Sequence, residues 1–137
     1  MREISFRGKR TDNGEWVYGY PYETYRNCHL RKLIALPPDE LGRGEYIEVI
    51  PETIGQYTGL TDKNGKKIFE GDILEFSDRL VSVFWHAHLG CWDSNFLKYT
   101  NQDNEKEDMS PYRWKYRAEV VGNIHDNSEP LKGGEQK

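Results

Sequence analysis

Apolar and polar residues alternate along much of this chain in short runs separated by turn residues, the pattern of a protein built from strands. Ile4 and Phe6 alternate with Glu3, Ser5 and Arg7, and the run ends at Asp12-Asn13-Gly14. Asn-Gly accommodates the positive φ angles of a tight hairpin turn. Trp16, Tyr18 and Tyr20 then recur at every second residue, which places them on one face of a returning strand. From Pro21 to Leu33 no clean period survives, and Leu33-Ile34-Ala35-Leu36 reads as a short strand ended by Pro37-Pro38. Asp39 to Gly44 reads as a loop, Tyr46 to Ile50 as a strand, and Pro51-Glu52-Thr53 as a redirection of the chain or one helical turn.

The best-specified feature is the hairpin from Gln56 to Phe76. A Gly- and Thr-rich strand leads into the turn Asp62-Lys63-Asn64-Gly65, and Lys67-Ile68-Phe69 resumes the pairing. Gly71, between Glu70 and Asp72, interrupts the apolar run and marks a bulge or a close backbone approach. Val81, Val83 and Trp85 form a strand with Phe84 between them, expected to be covered on both faces. Cys91 to Tyr99 is a further strand, and the acidic stretch Thr100 to Ser110 a mobile loop. Trp114 to Ile124 reads as the closing strand, with Ala118, Val120 and Ile124 inward and Arg117, Glu119 and Asn123 outward. A disordered tail is expected from Ser128. The segment around Thr11 to Tyr18 echoes Thr61 to Phe69, two polar turns each feeding an aromatic strand, as expected from the small vocabulary of hairpin turns.

Composition narrows the function classes. With 137 residues the chain fits one domain, or a small one with a flanking segment. No long apolar run exists, so no membrane span is expected. No apolar leader follows Met1, so a cytoplasmic location is expected. Cys28 and Cys91 are the two cysteines and are expected to stay free thiols. The net charge of -4 removes the global attraction on which most nucleic-acid binders rely, leaving only a local basic face.

Three constellations invite chemistry. His86, His88 and Cys91 are metal-ligand types near one strand end, but a closed site needs a fourth ligand such as Cys28, His29 or His125. Surface histidines are the simpler reading, and no metal or other cofactor is expected. Glu70, Asp72 and Glu75 are carboxylates close enough in sequence for acid and base work. Asp72 bonding backbone amides beside Gly71, with Glu75 solvated, explains them more simply. Tyr112, Arg113, Trp114, Lys115, Tyr116 and Arg117 interleave aromatics with cations, as stacking on bases and contact with phosphates require. A strand with Trp114 and Tyr116 buried and Arg113, Lys115 and Arg117 exposed has the same pattern. Nucleophile elbows, phosphate loops and dinucleotide fingerprints are absent, so no enzyme is expected.

Phe6-Arg7-Gly8-Lys9, Trp16-Val17-Tyr18-Gly19, the long run Thr53 to Leu60 continuing through Asp62, Asn64-Gly65 and Ile68 to Ile73, and Val121 to Asn127 together resemble the YopX family of phage- and prophage-encoded proteins. The resemblance implies a mainly β protein with an SH3-type β-barrel or roll over residues 53–127. It implies an N-terminal β segment over 1–52 packed beside that roll, and it leaves 128–137 as tail. It implies no activity and no catalytic residue. The expectation is a non-enzymatic phage or prophage accessory protein that binds itself, as a homo-oligomer, or a host or phage protein. The alternative is a nucleic-acid module using residues 112–117.

Overall fold

The computed structural model describes residues 5–100 and 109–126. The start of the first predicted strand at Ile4, most of the acidic loop and the tail lie outside the described residues. The protein is mainly β, in two antiparallel sheets, one of six strands and one of four. Among the described residues no sheet closes into a barrel. The chain forms two compact units, residues 1–57 and 58–137.

The first unit holds β1 (Phe6–Lys9), β2 (Trp16–Arg26), β3 (His29–Ala35), β4 (Tyr46–Glu48), a 3-10 turn (Pro51–Thr53) and the start of β5 (Gly55–Thr61). β1 and β2 pair as the Asn13-Gly14 signal predicts, with Phe6 opposite Gly19 and Lys9 opposite Trp16. β2 runs on to Arg26 and pairs with β3 through a two-residue turn at Asn27 and Cys28, whose φ angles are 52° and 68°. Positive φ at both central positions is the geometry of a hairpin turn matched to strand twist. This long hairpin replaces the irregular segment expected at Pro21 to Leu33. Its β2 arm beyond Gly19 is mostly exposed, so burial imposed no apolar alternation on it. Gly19 lies where β2 passes from β1 to β3, and a Cβ there would stand 2.1 Å from the Ala35 carbonyl oxygen. Only glycine fits that approach. Leu33, Ile34, Ile47, Val49 and Tyr57 are buried apolar side chains of this unit. Thr53 ties the 3-10 turn to β1 by accepting a hydrogen bond from Lys9 N at 2.9 Å.

The second unit takes the end of β5 through the Asn64-Gly65 turn into β6 (Lys67–Phe69), then β7 (Asp72–Glu75), β8 (Arg79–His86), β9 (Cys91–Tyr99), a 3-10 turn (Pro111–Arg113), the single helical turn α1 (Trp114–Arg117) and β10 (Glu119–Asn123). Gly65 has φ +82°, as the turn requires. Gly71 has φ +91° and approaches the His125 ring, at 3.3 Å from an added Cβ, so the predicted close approach is realised at the turn between β6 and β7. Register irregularities lie elsewhere, between Val120 and Gly122 of β10 and between Leu80 and Val81 of β8. Leu80, Val81, Ser82 and Val83 are buried in succession, which is the two-sided cover expected of β8. Ile68, Leu74, Phe76, Val81, Val83, Trp114 and Ala118 form the core, with Leu60, Trp92, Met109 and Val120 packed against it.

The predicted closing strand needs correction. Residues 111–117 are helical, and strand begins only at Glu119. Pro111 at the first turn position pre-sets φ for a helical turn, and that local preference outweighs the alternating pattern. Ala118 is buried as expected, but Asn123 is buried and Ile124 is 46% exposed, the reverse of the predicted faces. Asn123 turns inward because its Oδ1 accepts hydrogen bonds from His125 N and Asp126 N and shapes the last turn.

One carboxylate ties the ends of this unit together. Asp62 is 2% exposed; its Oδ1 accepts hydrogen bonds from Asn64 N and Lys66 N, and its Oδ2 accepts one from Val120 N, all at 2.9 Å. Burial alone pushes this carboxyl up, but the three backbone donors and the Lys66 charge outweigh it and hold the pKa below the ordinary value. A carboxyl whose pKa is depressed by folding stabilises the fold above its unfolded value, about 3.9. That contribution is lost as pH falls through the folded pKa. The second unit is therefore expected to lose stability in acid below about pH 4. Asp62→Asn, which sets an amide donor against a backbone N–H, is expected to cost about 1–3 kcal/mol near neutrality. It should also make the acid slope shallower, the remainder coming from Asp78, held down by Arg79. Urea melts across pH check both; an unchanged slope in Asp62→Asn would refute the assignment.

Candidate functional site

The second unit carries a cleft of about 280 Å3 lined by Lys63, Glu75, Phe76, Ser77, Tyr116, Arg117 and Glu119. Three pieces of backbone build it. The turn after β5 supplies Lys63, whose N–H donates to the Ala118 carbonyl at 2.9 Å. The end of β7 supplies Glu75 to Ser77, and the end of α1 with the start of β10 supplies Tyr116 to Glu119. Glu75 and Glu119 face each other directly in the β7–β10 ladder. Like charges directly opposite across a sheet are unfavourable alone, and Lys63 and Arg117 line the same cleft. The arrangement is a polar, mixed-charge groove with the exposed Tyr116 ring at its wall and the buried core residue Phe76 in its lining. No histidine or cysteine lines it.

The basic and aromatic segment beside this cleft divides. Trp114 is fully buried in the core, and its Nε1–H donates to the Met109 carbonyl at 3.0 Å. It cannot stack on a base, which corrects its place among the candidate nucleic-acid contacts. Tyr112 and Tyr116 are 67% and 69% exposed, and Lys115 and Arg117 are also exposed. Arg113 is half-buried, with its guanidinium over the Tyr112 ring at 5.6 Å. A helical turn sends side chains outward in a fan, so the even spacing of a flat stacking platform is not reproduced here.

The sequence pattern of the family described as YopX protein matches residues 5–132, nearly the whole chain. The chain belongs to the YopX family. Among solved structures it resembles the crystal structure of protein EF1440 from Enterococcus faecalis, with TM-score 0.52 and 22% identity over 94% of this chain and 98% of that one. This likeness shows a shared fold. No curated protein matches.

In this YopX-family chain the densest run of special residues, Thr53 to Ile73, serves backbone geometry. Thr58 Oγ1 donates to Ile68 O at 2.8 Å, and Asp72, 2% exposed, accepts from Phe69 N at 2.8 Å. Asp72 is thus a turn residue, as its simpler reading had it, and Glu75 separates from it into the cleft. His86 and Cys91 sit opposite each other at the β8–β9 end, where His86 Nδ1 accepts from Leu89 N at 3.2 Å. His88 and both cysteines are exposed, and no three metal-ligating side chains gather among the described residues. Sequence reasoning missed Lys63 and Glu119. Only the β7–β10 register, which spans over forty residues of chain, puts Glu119 beside Glu75.

Trp114→Ala is expected to cost about 3–5 kcal/mol through the cavity it leaves. Tyr112→Ala and Tyr116→Ala, at exposed positions, should change stability by no more than about 0.5 kcal/mol. Thermal melts of the three variants distinguish core from surface.

Proposed function

We propose that this YopX-family protein is a non-enzymatic binding module of phage or prophage origin, acting in the bacterial cytoplasm. Its partner is a protein, either a second copy of itself or a host or phage polypeptide, held in the cleft of the second unit. The observation that carries this reading is the pairing of Glu75 and Glu119 beside the exposed Tyr116. Two carboxylates invite a cationic side chain, the Tyr116 ring offers apolar contact, and Lys63 and Arg117 can meet carbonyls or an acidic group. An extended polypeptide presents all three kinds of group at short spacing.

An SH3-type roll belongs to the same proposal. Its support is the order of β7, β8 and β9 as a meander, followed by a helical turn and a last strand that returns to β7 and to the turn after β5. Nucleic-acid binding through Tyr112, Arg113, Lys115 and Arg117 is the weaker reading of this region. The buried Trp114 is lost to it, and Glu75 and Glu119 would repel phosphates next to Arg117.

The test is affinity capture combined with light scattering, on the wild type and on Glu75→Gln/Glu119→Gln, Tyr116→Ala and Tyr112→Ala proteins. A discrete protein partner or a second copy should be held by the wild type and by Tyr112→Ala, and lost in the two cleft variants. A strict monomer that retains nothing, or retention indifferent to the cleft substitutions, rejects the reading.

A further inference from the structure

The first unit presents a sheet face on which aromatic and basic side chains are sorted together. Antiparallel register puts directly opposite residues on one face and successive residues of a strand on alternate faces. Along β2, Trp16, Tyr18, Tyr20, Tyr22, Thr24 and Arg26 therefore share a face. Lys9 joins them opposite Trp16, and Arg7 opposite Tyr18. Leu33 and Arg31 of β3 join opposite Tyr22 and Thr24, while Tyr46 and Glu48 of β4 join opposite Ala35 and Leu33.

The tyrosines of this face are not core. Tyr18, Tyr20, Tyr22 and Tyr46 are 49%, 56%, 49% and 57% exposed. Tyr22 and Tyr46 lean together over β3 with ring centroids 5.0 Å apart, which holds both rings in place above the buried Leu33. Trp16 is fixed from one side by the Arg7 guanidinium, 4.4 Å from its ring centroid, with the Lys9 ammonium at 5.8 Å. A row of large aromatic rings half-open to water is costly to display unless something covers it.

Charge on this face identifies the occupant. Arg7, Lys9, Arg26 and Arg31 lie on it against Glu48 alone, whereas the whole chain carries a net charge of -4. Arg7 is buried beneath Trp16, leaving Lys9, Arg26 and Arg31 within reach of a ligand, Arg31 held by Glu48 at 3.0 Å. Alternate residues of a strand are about 6.6 Å apart, twice the roughly 3.4 Å rise per stacked nucleotide, so neighbouring tyrosine rings leave room for a base. Stacking platforms flanked by cations are the general means of holding a single strand without reading its sequence.

We propose that the β2–β3–β4 face of the first unit binds single-stranded nucleic acid, its bases stacking on Tyr18, Tyr20, Tyr22 and Tyr46 and its phosphates meeting Lys9, Arg26 and Arg31. This site is separate from residues 112–117 and from the cleft proposed for a protein partner, and it stands or falls without them. A duplex buries its base faces and cannot use the platform, so the site prefers single strands.

Fluorescence anisotropy of the full chain with labelled single-stranded DNA, single-stranded RNA and duplex, each about 15 units long, tests it. Binding to either single strand is expected, tighter than to duplex, and the stronger arm names the polymer. Three phosphate contacts predict a loss of roughly twenty-fold between about 50 and 200 mM salt. Tyr20→Ala and Tyr22→Ala should each weaken binding at least about five-fold. Arg26→Glu, at an exposed position that leaves packing untouched, should weaken it and flatten the salt dependence, keeping the test valid where a tyrosine variant folds poorly. Changing Tyr112, Arg113, Lys115 and Arg117 together should leave binding unchanged. No binding at low salt, equal binding to duplex, or loss only in the 112–117 variant overturns the proposal. So does a protein that ignores nucleic acid yet dissociates from its own second copy when Tyr20 and Tyr22 are removed, which would assign the face to self-association.

Discussion

The buried Asp62 carboxylate is the constraint on which the second unit depends. An ionised group at that depth is expensive unless its oxygens are satisfied, and here backbone N–H groups from two distant stretches of chain satisfy them. Two donors lie in its own turn and fix the Asn64-Gly65 geometry. The third belongs to Val120, 58 residues away in sequence, and pins β10 against that turn. From this one anchor the rest follows: Ala118 O is placed to accept from Lys63 N, Glu119 falls opposite Glu75, and the cleft acquires its rim. The turn after β5 is thus a device for closing a small β unit whose core is modest. The chemistry of the cleft is a by-product of where that device sets the chain.

What the sequence made legible was local. Asn13-Gly14 and Asn64-Gly65 announce their hairpins because positive φ restricts the residues that fit. The apolar run at Leu80 to Val83 announces a strand covered on both faces. The double use of Asp62, as a turn residue and as a long-range anchor, could not be read, since the second role depends on a partner brought in only by folding. The segment 111–117 was misread for a different reason. Aromatics at 112, 114 and 116 satisfy a strand, but one turn of helix also buries the central ring and exposes its neighbours. Pro111 was the available signal, and it favours the helical turn.

In the first unit the failure of alternation was itself informative. Pro21 to Arg26 shows no apolar period because neither face of that arm is deeply buried. The strand is held instead by its ladder to β3, by ion pairs such as Lys32 with Glu23 at 2.6 Å, and by a turn with two non-glycine residues at positive φ. Such a turn is strained for Cys28, and a strained conformation persists only where its surroundings over-determine it. A long ladder with register fixed at both ends provides that. The hairpin is therefore specified by backbone pairing and not by a hydrophobic face, which leaves its side chains open to be chosen for contact.

Aromatic content is where composition misleads most. At 13% it is naturally counted toward the core, yet the rings divide into two populations. Trp114 and Phe76 are buried and fix the second unit, and substitution there is a matter of stability. Tyr18, Tyr20, Tyr22, Tyr46, Tyr112 and Tyr116 are each about half exposed or more. Tyrosine suits such positions because its hydroxyl stays in water while its ring offers area at little entropic cost. The neighbours of each exposed group then decide what it can hold. Beside α1, Tyr116 shares the cleft with the opposed Glu75 and Glu119, while the Lys115 ammonium and the Arg113 guanidinium lie over the Tyr116 and Tyr112 rings. On the β2–β4 face the rings stand among Arg7, Lys9, Arg26 and Arg31, with Glu48 bound to Arg31. The same side chain suits more than one recognition chemistry, and the charge placed beside it, not its own identity, makes the difference.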